Sequence, residues 1–312
     1  MLSQATVSLR ENGSRSPRLD AELLLAKALG VGRAELFRDP ARVPTHEEAA
    51  TFEGLLRRRL AHEPVAYILG RRAFRTIELE VTPEVLIPRP ETETLVDVAL
   101  EALRAMPLAG PGPEDEPLAL DVGTGSGCVA LALAAEDPFV RVVATDVEPA
   151  ALAVARRNAA RLGLARRVEF VLSDLFADVG ERPFDLVVSN PPYIPADEYA
   201  ALEPNVREYE PRRALHGGAD GLDLYRRLVP GAALLLRPGG VLALEVGVGK
   251  AGAVVDIVGA AGAYEPPGLR HDLSGVPRVV HARRRGRGSG HGGCLRSHDI
   301  RLRCLSGGCR LL

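Results

Sequence analysis

The sequence predicts an α/β protein in which a doubly wound, mostly parallel sheet follows a small helical domain. After residue 118, short apolar runs alternate with helical segments, as in a parallel sheet that is covered on both faces. Residues 17–70 instead carry apolar side chains at helical spacing, and residues 74–87 change to a strand-like alternation. The length of 312 residues is sufficient for two domains.

The N-terminal helical domain is expected over residues 1–71. Leucines recur at helical spacing in residues 17–29, directly before a glycine that can end a helix. A second apolar stripe, in residues 52–60, follows Thr45, and Glu48 stands three residues after this threonine. Because a threonine and a glutamate at this spacing can bond each other's backbone N–H groups, we expect a capping box at the start of that helix.

Residues 72–90 are predicted to form a β-hairpin linker. Ile77 and Leu79 alternate with glutamates, and a second apolar run at residues 85–87 follows a turn-like Thr-Pro-Glu sequence. We therefore expect these two runs to pair across residues 74–87 and to connect the two domains.

The α/β domain is expected over residues 91–282. Its first helix is predicted at about residues 91–105, and a Pro- and Gly-rich acidic linker at residues 107–117 separates this helix from the sheet. Six short apolar runs are the predicted strands: residues 118–122, 140–145, 168–172, 186–189, 241–246 and 278–281. The last of these is expected to pair antiparallel, at an edge or between two neighbours.

The formal net charge of −2 is unevenly distributed along the chain. Residues 283–312 carry eight arginines and one aspartate, a charge of +7, which leaves −9 on residues 1–282. This Arg- and Gly-rich tail has no apolar periodicity and is predicted to be disordered. An acidic body argues against binding that is dominated by duplex phosphate, so we expect no direct nucleic-acid binding.

The cysteine positions argue against disulfides and a metal site, and the hydropathy argues against a membrane or secreted location. Three of the four cysteines lie in the tail, so residues 1–282 cannot hold a disulfide framework. The tail contains no C-x-x-C pair, and no metal site is expected. No stretch approaches the roughly 18 apolar residues of a membrane span, and the first residues do not resemble a secretory signal. We therefore expect a cytoplasmic protein without membrane contact.

A glycine-rich motif, Asp-Val-Gly-Thr-Gly-Ser-Gly, occupies residues 121–127 between a predicted strand and a predicted helix. Glycines allow a tight turn and close approach of a ligand, and a helix N-terminus offers free N–H groups. The G-x-G-x-G spacing differs from the dinucleotide fingerprint, so a nucleotide-like ligand is favoured over a pyrophosphate. A turn without a ligand is the alternative. The predicted contacts are Gly123, Thr124, Gly125, Ser126 and Gly127.

Two acidic residues follow the next strands of the predicted sheet. Asp146 lies 19 residues after Gly127 at the end of a strand, which is a position from which a carboxylate can bind both ribose hydroxyls. A solvated helix cap is the alternative for Asp146. Asp174 comes just after the following strand, where it could accept from an adenine amino group while Leu175 packs on the ring.

The sequence Asn190-Pro191-Pro192-Tyr193 directly follows another predicted strand. Because ligands bind beyond the carboxyl ends of strands in open α/β sheets, this loop should face the same crevice as the glycine loop. The two prolines remove N–H donors and fix φ, which leaves carbonyl oxygens and the amide oxygen of Asn190 as acceptors. Such acceptors suit an NH₂ substrate, and the Tyr193 ring can lie against a flat amide or base. A simple turn is the alternative.

Together these motifs resemble a class I S-adenosylmethionine-dependent methyltransferase that acts on a planar nitrogen. Most of residues 17–282 also resembles the HemK/PrmC family, the protein-(glutamine-N5) methyltransferases of peptide chain release factors. The segments that carry this resemblance are residues 20–25, 63–70, 85–93, 121–127, 189–193, 210–215, 217–222 and 272–275. Ile-Pro-Arg-Pro-Glu-Thr-Glu, at residues 87–93, distinguishes this family best from the related ribosomal-protein enzymes.

The resemblance implies methyl transfer from S-adenosylmethionine to the glutamine nitrogen of the Gly-Gly-Gln loop of a release factor, in support of translation termination. The nitrogen would donate to Asn190 Oδ1 and to the Pro191 carbonyl, and positioning would be the main catalytic device. The helical domain would recognise the release factor. The implied ligand contacts are residues 123–127 for the methionine moiety, Asp146 for the ribose, Asp174 and Leu175 for the adenine, and residues 190–193 for the substrate amide.

Two other functions are compatible with parts of the same pattern. DNA amino-methyltransferases also act on planar NH₂ groups, but residues 1–282 lack the positive charge and the target domain that grip a flipped base. A nucleotide-binding module without catalysis would require Asn190 and Tyr193 to be purely structural.

Overall fold

A computed structural model describes residues 1–39, 42–106 and 116–286. The described residues of the N-terminal part form four α-helices: α1 (Leu2–Glu11), α2 (Pro17–Ala28), α3 (His46–Leu60) and α4 (Val65–Leu69). The predicted capping box is confirmed, because Thr45 Oγ1 accepts from the Glu48 N–H at 3.2 Å and Glu48 Oε2 accepts from the Thr45 N–H at 2.8 Å.

Helix α1 was not predicted from the sequence. Its buried residues Ala5 and Leu9 join Leu24 and Phe52 in the core of the helical domain. The remaining positions of α1 are mostly polar, so two buried apolar side chains in ten residues produce only a weak helical pattern.

A β-hairpin does follow the helices, but the predicted pairing was wrong. Strand β1 (Arg71–Phe74) pairs antiparallel with β2 (Ile77–Glu80), and Arg75 occupies the turn with φ of 50°. Residues 85–87 form no strand. Val85 and Ile87 are buried against Tyr67 and against the helix at Pro149–Arg161. This apolar run therefore reflects burial on a neighbouring surface, which an apolar pattern alone cannot distinguish from strand pairing.

The predicted α/β fold is confirmed by a seven-stranded sheet with the order β5-β4-β3-β6-β7-β9-β8, in which the first five strands are parallel. Strand β9 lies antiparallel between β7 and β8, and β8 had no predicted counterpart. The strands are β3 (Leu118–Val122), β4 (Arg141–Asp146), β5 (Val168–Leu172), β6 (Phe184–Ser189), β7 (Leu236–Glu245), β8 (Gly268–His271) and β9 (Pro277–Arg283).

Helices cover both faces of this sheet and separate two apolar cores. One core lies beneath α5 and α6 and includes Phe74 and Leu79 of the hairpin, which therefore packs as part of the α/β domain. The other lies beneath α10 and α11. The helices are α5 (Glu93–Arg104), α6 (Cys128–Glu136), α7 (Pro149–Arg161), α8 (Ala196–Tyr199), α9 (Pro204–Arg207), α10 (Asp223–Leu235) and α11 (Ala251–Ala260). None of the helices in the described ranges has the length and hydropathy needed to span a membrane.

The C-terminal boundary lies beyond the predicted one. Strand β9 continues through Arg283, and Arg284 forms a β-bridge with Tyr264, so the first residues assigned to the tail belong to the sheet. Most of the predicted linker, at residues 107–115, lies outside the described residues. The same holds for residues 287–312, on which the predictions of disorder and of no zinc site fall.

Candidate functional site

A cavity of about 470 Å³ opens at the carboxyl ends of β3, β4 and β6, within the usual range for a small-molecule site. The predicted residues that line it are Gly123, Gly125, Asp146, Asp174, Leu175, Asn190, Pro191 and Pro192. The fold therefore brings together the glycine loop, both acidic residues and the Asn-Pro-Pro-Tyr loop, which lie far apart in sequence.

The glycine loop presents its backbone to this cavity. Gly123 and Gly125 have φ of 76° and 55°, and the position of a Cβ at either residue has no other atom within 4 Å. A bound ligand can therefore approach the backbone of both residues closely.

Three other residues of the loop do not line the cavity. Thr124 and Ser126 are buried, and the Thr124 hydroxyl donates to Asp121 Oδ2 at 2.7 Å. Gly127, with φ of 85°, precedes α6, where a Cβ would lie 2.9 Å from the Leu131 side chain. These three residues build the strand-to-helix turn, and the side chains of Thr124 and Ser126 are buried in the protein.

Asp121 was not predicted as a site residue, but its carboxylate holds the glycine loop in place through hydrogen bonds. Its carboxylate accepts from Thr124 and from the Ala130 N–H at 3.2 Å, near the N-terminus of α6. Burial raises the pKa of Asp121 to about 6 despite these hydrogen bonds. The carboxylate therefore ties the end of β3 to both the loop and the helix.

Asp146 lies at the end of β4 and already supports the loop. Its Oδ2 accepts from the Gly125 N–H at 2.9 Å, and its Oδ1 accepts from the Glu148 N–H at 3.0 Å. Burial raises the pKa of Asp146 above the ordinary range of an aspartate. An ionised carboxylate offers about four acceptor positions, so Asp146 keeps capacity to accept from a further hydroxyl group.

Asp174 and Leu175 line the cavity just after β5, the strand next to β4. Asp174 Oδ2 accepts from Arg227 Nη2 at 2.8 Å across an exposed ion pair. Leu175 adopts a left-handed φ of 55°, which is uncommon for a leucine. Such strain is typical of functional loops.

Asn190 is held by its amide nitrogen. Its Nδ2 donates to Thr92 Oγ1 at 3.1 Å, and Thr92 lies just before α5 in the segment 87–93. Asn190 lines both the first cavity and a second one of about 510 Å³, which Tyr193 and Arg15 of the helical domain also line. The amide thus stands at the boundary between two cavities.

Three glycines pack directly against the Asn-Pro-Pro-Tyr loop. A Cβ at Gly217 would lie 2.6 Å from the Pro192 carbonyl oxygen, and one at Gly221 would lie 2.3 Å from the Tyr193 carbonyl oxygen. A Cβ at Gly247, after β7, would lie 2.7 Å from Cδ2 of the Tyr193 ring. The loop is therefore packed tightly on both its backbone and its ring.

Comparison with known proteins identifies the family. A model of the PrmC N-terminal domain matches residues 1–70, and a model of the methyltransferase small domain matches residues 102–203. The release factor glutamine methyltransferase of Geobacter sulfurreducens is 45% identical over 275 residues, which cover 88% of this chain and 92% of that protein. This chain belongs to the release factor glutamine methyltransferase family.

Other comparisons agree with this membership. The release factor glutamine methyltransferase of Cereibacter sphaeroides is 47% identical over 289 residues, covering 90% of this chain and 96% of that protein. The solved structure of the hMettl16 catalytic domain in complex with MAT2A 3'UTR hairpin 6 superposes with a TM-score of 0.52 at 14% identity, over 65% of this chain and 74% of that chain. This likeness shows the class I methyltransferase fold alone.

In this family member, several residues around the cavities were not predicted from the sequence motifs. The segment 84–86 and Arg213 line the first cavity, although neither lies in a motif assigned to a ligand. Glu210 is buried and accepts from the Ile87 N–H at 3.1 Å and from Arg89, so it ties segment 87–93 to the loop after α9. The sequence signal for Val85, Leu86, Glu210 and Arg213 was their place in segments that resemble the family, and Glu84 lies in none of those segments.

Proposed function

We propose that this protein transfers a methyl group from S-adenosylmethionine to the side-chain nitrogen of a glutamine in the Gly-Gly-Gln loop of a peptide chain release factor. It would act in the cytoplasm, where it would support translation termination. The position of Asn190 carries the proposal. Its Nδ2 donates a hydrogen bond to Thr92, so its Oδ1 remains to accept a hydrogen bond from a substrate. This residue lies at the boundary between a small-molecule cavity and a second cavity.

The chemistry of the first cavity fits S-adenosylmethionine. Gly123 and Gly125 leave open space beside their backbone, where the methionine moiety would lie. Asp146 keeps acceptor capacity, which the ribose hydroxyls would use. Asp174 and Leu175 would border the adenine, and the carboxylate of Asp174 keeps acceptor capacity beside Arg227.

When bound, the cofactor would supply an electrophilic methyl group, and the chain's own residues would orient its acceptor. A glutamine nitrogen is a poor nucleophile because its lone pair is delocalised into the carbonyl. Hydrogen bonds from its two N–H groups to Asn190 Oδ1 and the Pro191 carbonyl would orient it and would strengthen as positive charge develops, and one of the two protons would then leave to solvent. Pro191 is buried and its φ is constrained, so its carbonyl would hold its position during the reaction.

The second cavity supports access for a protein substrate. It is lined by Tyr193 and Arg89 of the α/β domain and by Arg15, which precedes α2. A glutamine side chain that entered here would reach Asn190 while the surrounding loop of the substrate contacted both domains. This arrangement supports the proposed role of the helical domain in recognising the release factor, since one glutamine alone contributes too little surface for selection.

A DNA amino-methyltransferase activity is less well supported. Residues 1–282 carry a charge of −9, and the arginines beside the second cavity are partly neutralised, as Arg15 pairs with Glu203 and Arg89 pairs with Glu210. A phosphate backbone would find little net positive charge at this entrance. We therefore retain the proposal that no nucleic acid is bound directly.

The proposal is tested by incubating the purified chain and radiolabelled S-adenosylmethionine with either a release factor or duplex DNA. We expect label in the release factor, and tandem mass spectrometry should locate a 14-Da addition on the glutamine of its Gly-Gly-Gln loop. A release factor with this glutamine replaced by asparagine is the matched control and should remain unlabelled. Label on DNA, or on other residues of the release factor, would contradict the proposed substrate.

A further inference from the structure

The two ends of the Asn190 side chain have nearly the same shape but opposite hydrogen-bonding roles. An N–H-bearing substrate is accepted only if Oδ1 faces it, whereas the reversed amide would present N–H groups to N–H groups. The contact from Nδ2 to Thr92 Oγ1 therefore decides what the site can bind. That contact is secure only if the Thr92 hydroxyl cannot itself donate to Asn190.

The hydroxyl proton of Thr92 is directed elsewhere. Thr92 is 1% exposed, and its side chain hydrogen-bonds the carboxylate of Glu245, which is also 1% exposed and ends β7. A hydroxyl has one proton to donate. When that proton bonds the carboxylate, Thr92 Oγ1 can only accept, and only the Nδ2 end of Asn190 can face it.

We propose that Thr92 and Glu245 are positioning residues that fix the amide orientation of Asn190 and so select a substrate group that donates N–H bonds. This inference rests on the proposed function and explains how the acceptor character of the site is maintained. It also gives a role to residues that touch neither cavity, since neither Thr92 nor Glu245 lines one.

The surroundings of Glu245 support a functional reason for its burial. Its Oε2 has no hydrogen-bond partner within the described part of the chain, and an unpaired buried carboxylate oxygen destabilises a protein. A well-packed apolar residue would stabilise the fold more. The charged and titratable groups whose fields reach the carboxylate are Glu91, Arg89, Arg278, Tyr193, Tyr225 and Cys128.

The kinetic test compares Thr92→Val, which removes the hydroxyl but keeps the shape, with Thr92→Ser, which keeps the hydroxyl. Thr92→Val should lower kcat by about 10- to 100-fold, the range expected for one lost buried hydrogen bond, at an unchanged Kd for S-adenosylmethionine. Thr92→Ser should retain kcat within about threefold. Thr82→Val is the matched control, because the Thr82 hydroxyl is buried without a partner among the described residues, and it should leave kcat unchanged.

The second position is tested by Glu245→Gln. The new amide can donate to Thr92 Oγ1 and release the threonine proton toward Asn190 Oδ1, so kcat should fall while the Kd of the cofactor stays constant. Wild-type kcat in both Thr92→Val and Glu245→Gln would overturn the inference. Equal losses in Thr92→Ser and Thr92→Val would do so as well, because the hydroxyl would then have no special role.

A measurement without substrate separates this inference from the proposed function. In ¹⁵N-labelled protein, one Nδ2 proton of Asn190 should show the downfield shift and slow exchange of a hydrogen-bonded amide, with assignment by loss of the signal in Asn190→Ala. The shift should disappear in Thr92→Val and remain in Thr82→Val. Its absence in the wild type would refute the orientation mechanism even if the release factor is methylated, whereas an intact signal with an unmethylated release factor would refute only the proposed substrate.

Discussion

Replacement of Asp146 by asparagine tests the ribose assignment most directly, because it changes two oxygen acceptors into one with almost no change in shape. In the wild type, two backbone N–H groups occupy one acceptor position on each carboxylate oxygen. The amide nitrogen of the variant carries two hydrogens and cannot accept a hydrogen bond. It would therefore lose the bond from the backbone N–H group or the ribose hydroxyl that it faces. Hydrogen bonds to a charged group contribute about 1.5–3 kcal/mol, so the Kd for S-adenosylmethionine should rise by roughly 10- to 150-fold.

Isothermal titration calorimetry measures this affinity, and kcat at saturating cofactor should change by only a few fold, since Asp146 is assigned to binding. Asp256→Asn on α11 is the matched control, because Asp256 is exposed and does not line the cavity. The raised pKa of Asp146 adds a pH signature. Cofactor binding by the wild type should weaken as the pH falls through this pKa and the carboxylate gains a proton, and the variant should lack that dependence. An unchanged Kd in Asp146→Asn would refute the ribose assignment.

Three further substitutions have distinct expected outcomes. Asn190→Ala should lower kcat by roughly 100-fold or more with the Kd of the cofactor nearly constant, as for a lost donor or acceptor in a preorganised site; a loss confined to cofactor affinity would contradict the substrate role. Gly247→Ala should displace the Tyr193 ring, cost about 1–3 kcal/mol in chemical denaturation and raise KM for the release factor, whereas Gly252→Ala, with open space at its Cβ, should not. Burial raises the pKa of Glu245 to about 7 from 4.5, so its contribution to stability is complete below pH 4.5 and is lost as the pH rises through 7. Relative to the wild type, Glu245→Gln should therefore gain about 3 kcal/mol in unfolding free energy between these limits, and parallel pH profiles for the two proteins would exclude this burial effect.

Much of the fold was determined by the sequence itself, because its signals are local. Apolar runs between helical segments located all five parallel strands and predicted β9. The glycines of the motif at residues 121–127 predicted a strand-to-helix turn, because such a turn needs positive φ values that glycine adopts readily. This requirement is local, so it can be read from the motif itself. Because ligands bind beyond the carboxyl ends of strands in open α/β sheets, the sequence also predicted that this loop, Asp146 and Asn190 face one crevice.

The tertiary structure alone decided what surrounds these residues. The apolar run at residues 85–87 predicted a strand but reflected packing against Tyr67, because burial on any apolar surface produces the same pattern as pairing. Thr92 reaches Asn190 across 98 positions of sequence, and Glu245 approaches Thr92 from the end of another strand. Such contacts depend on how helices and strands pack against each other. The local sequence around each residue therefore cannot predict which distant residue it contacts.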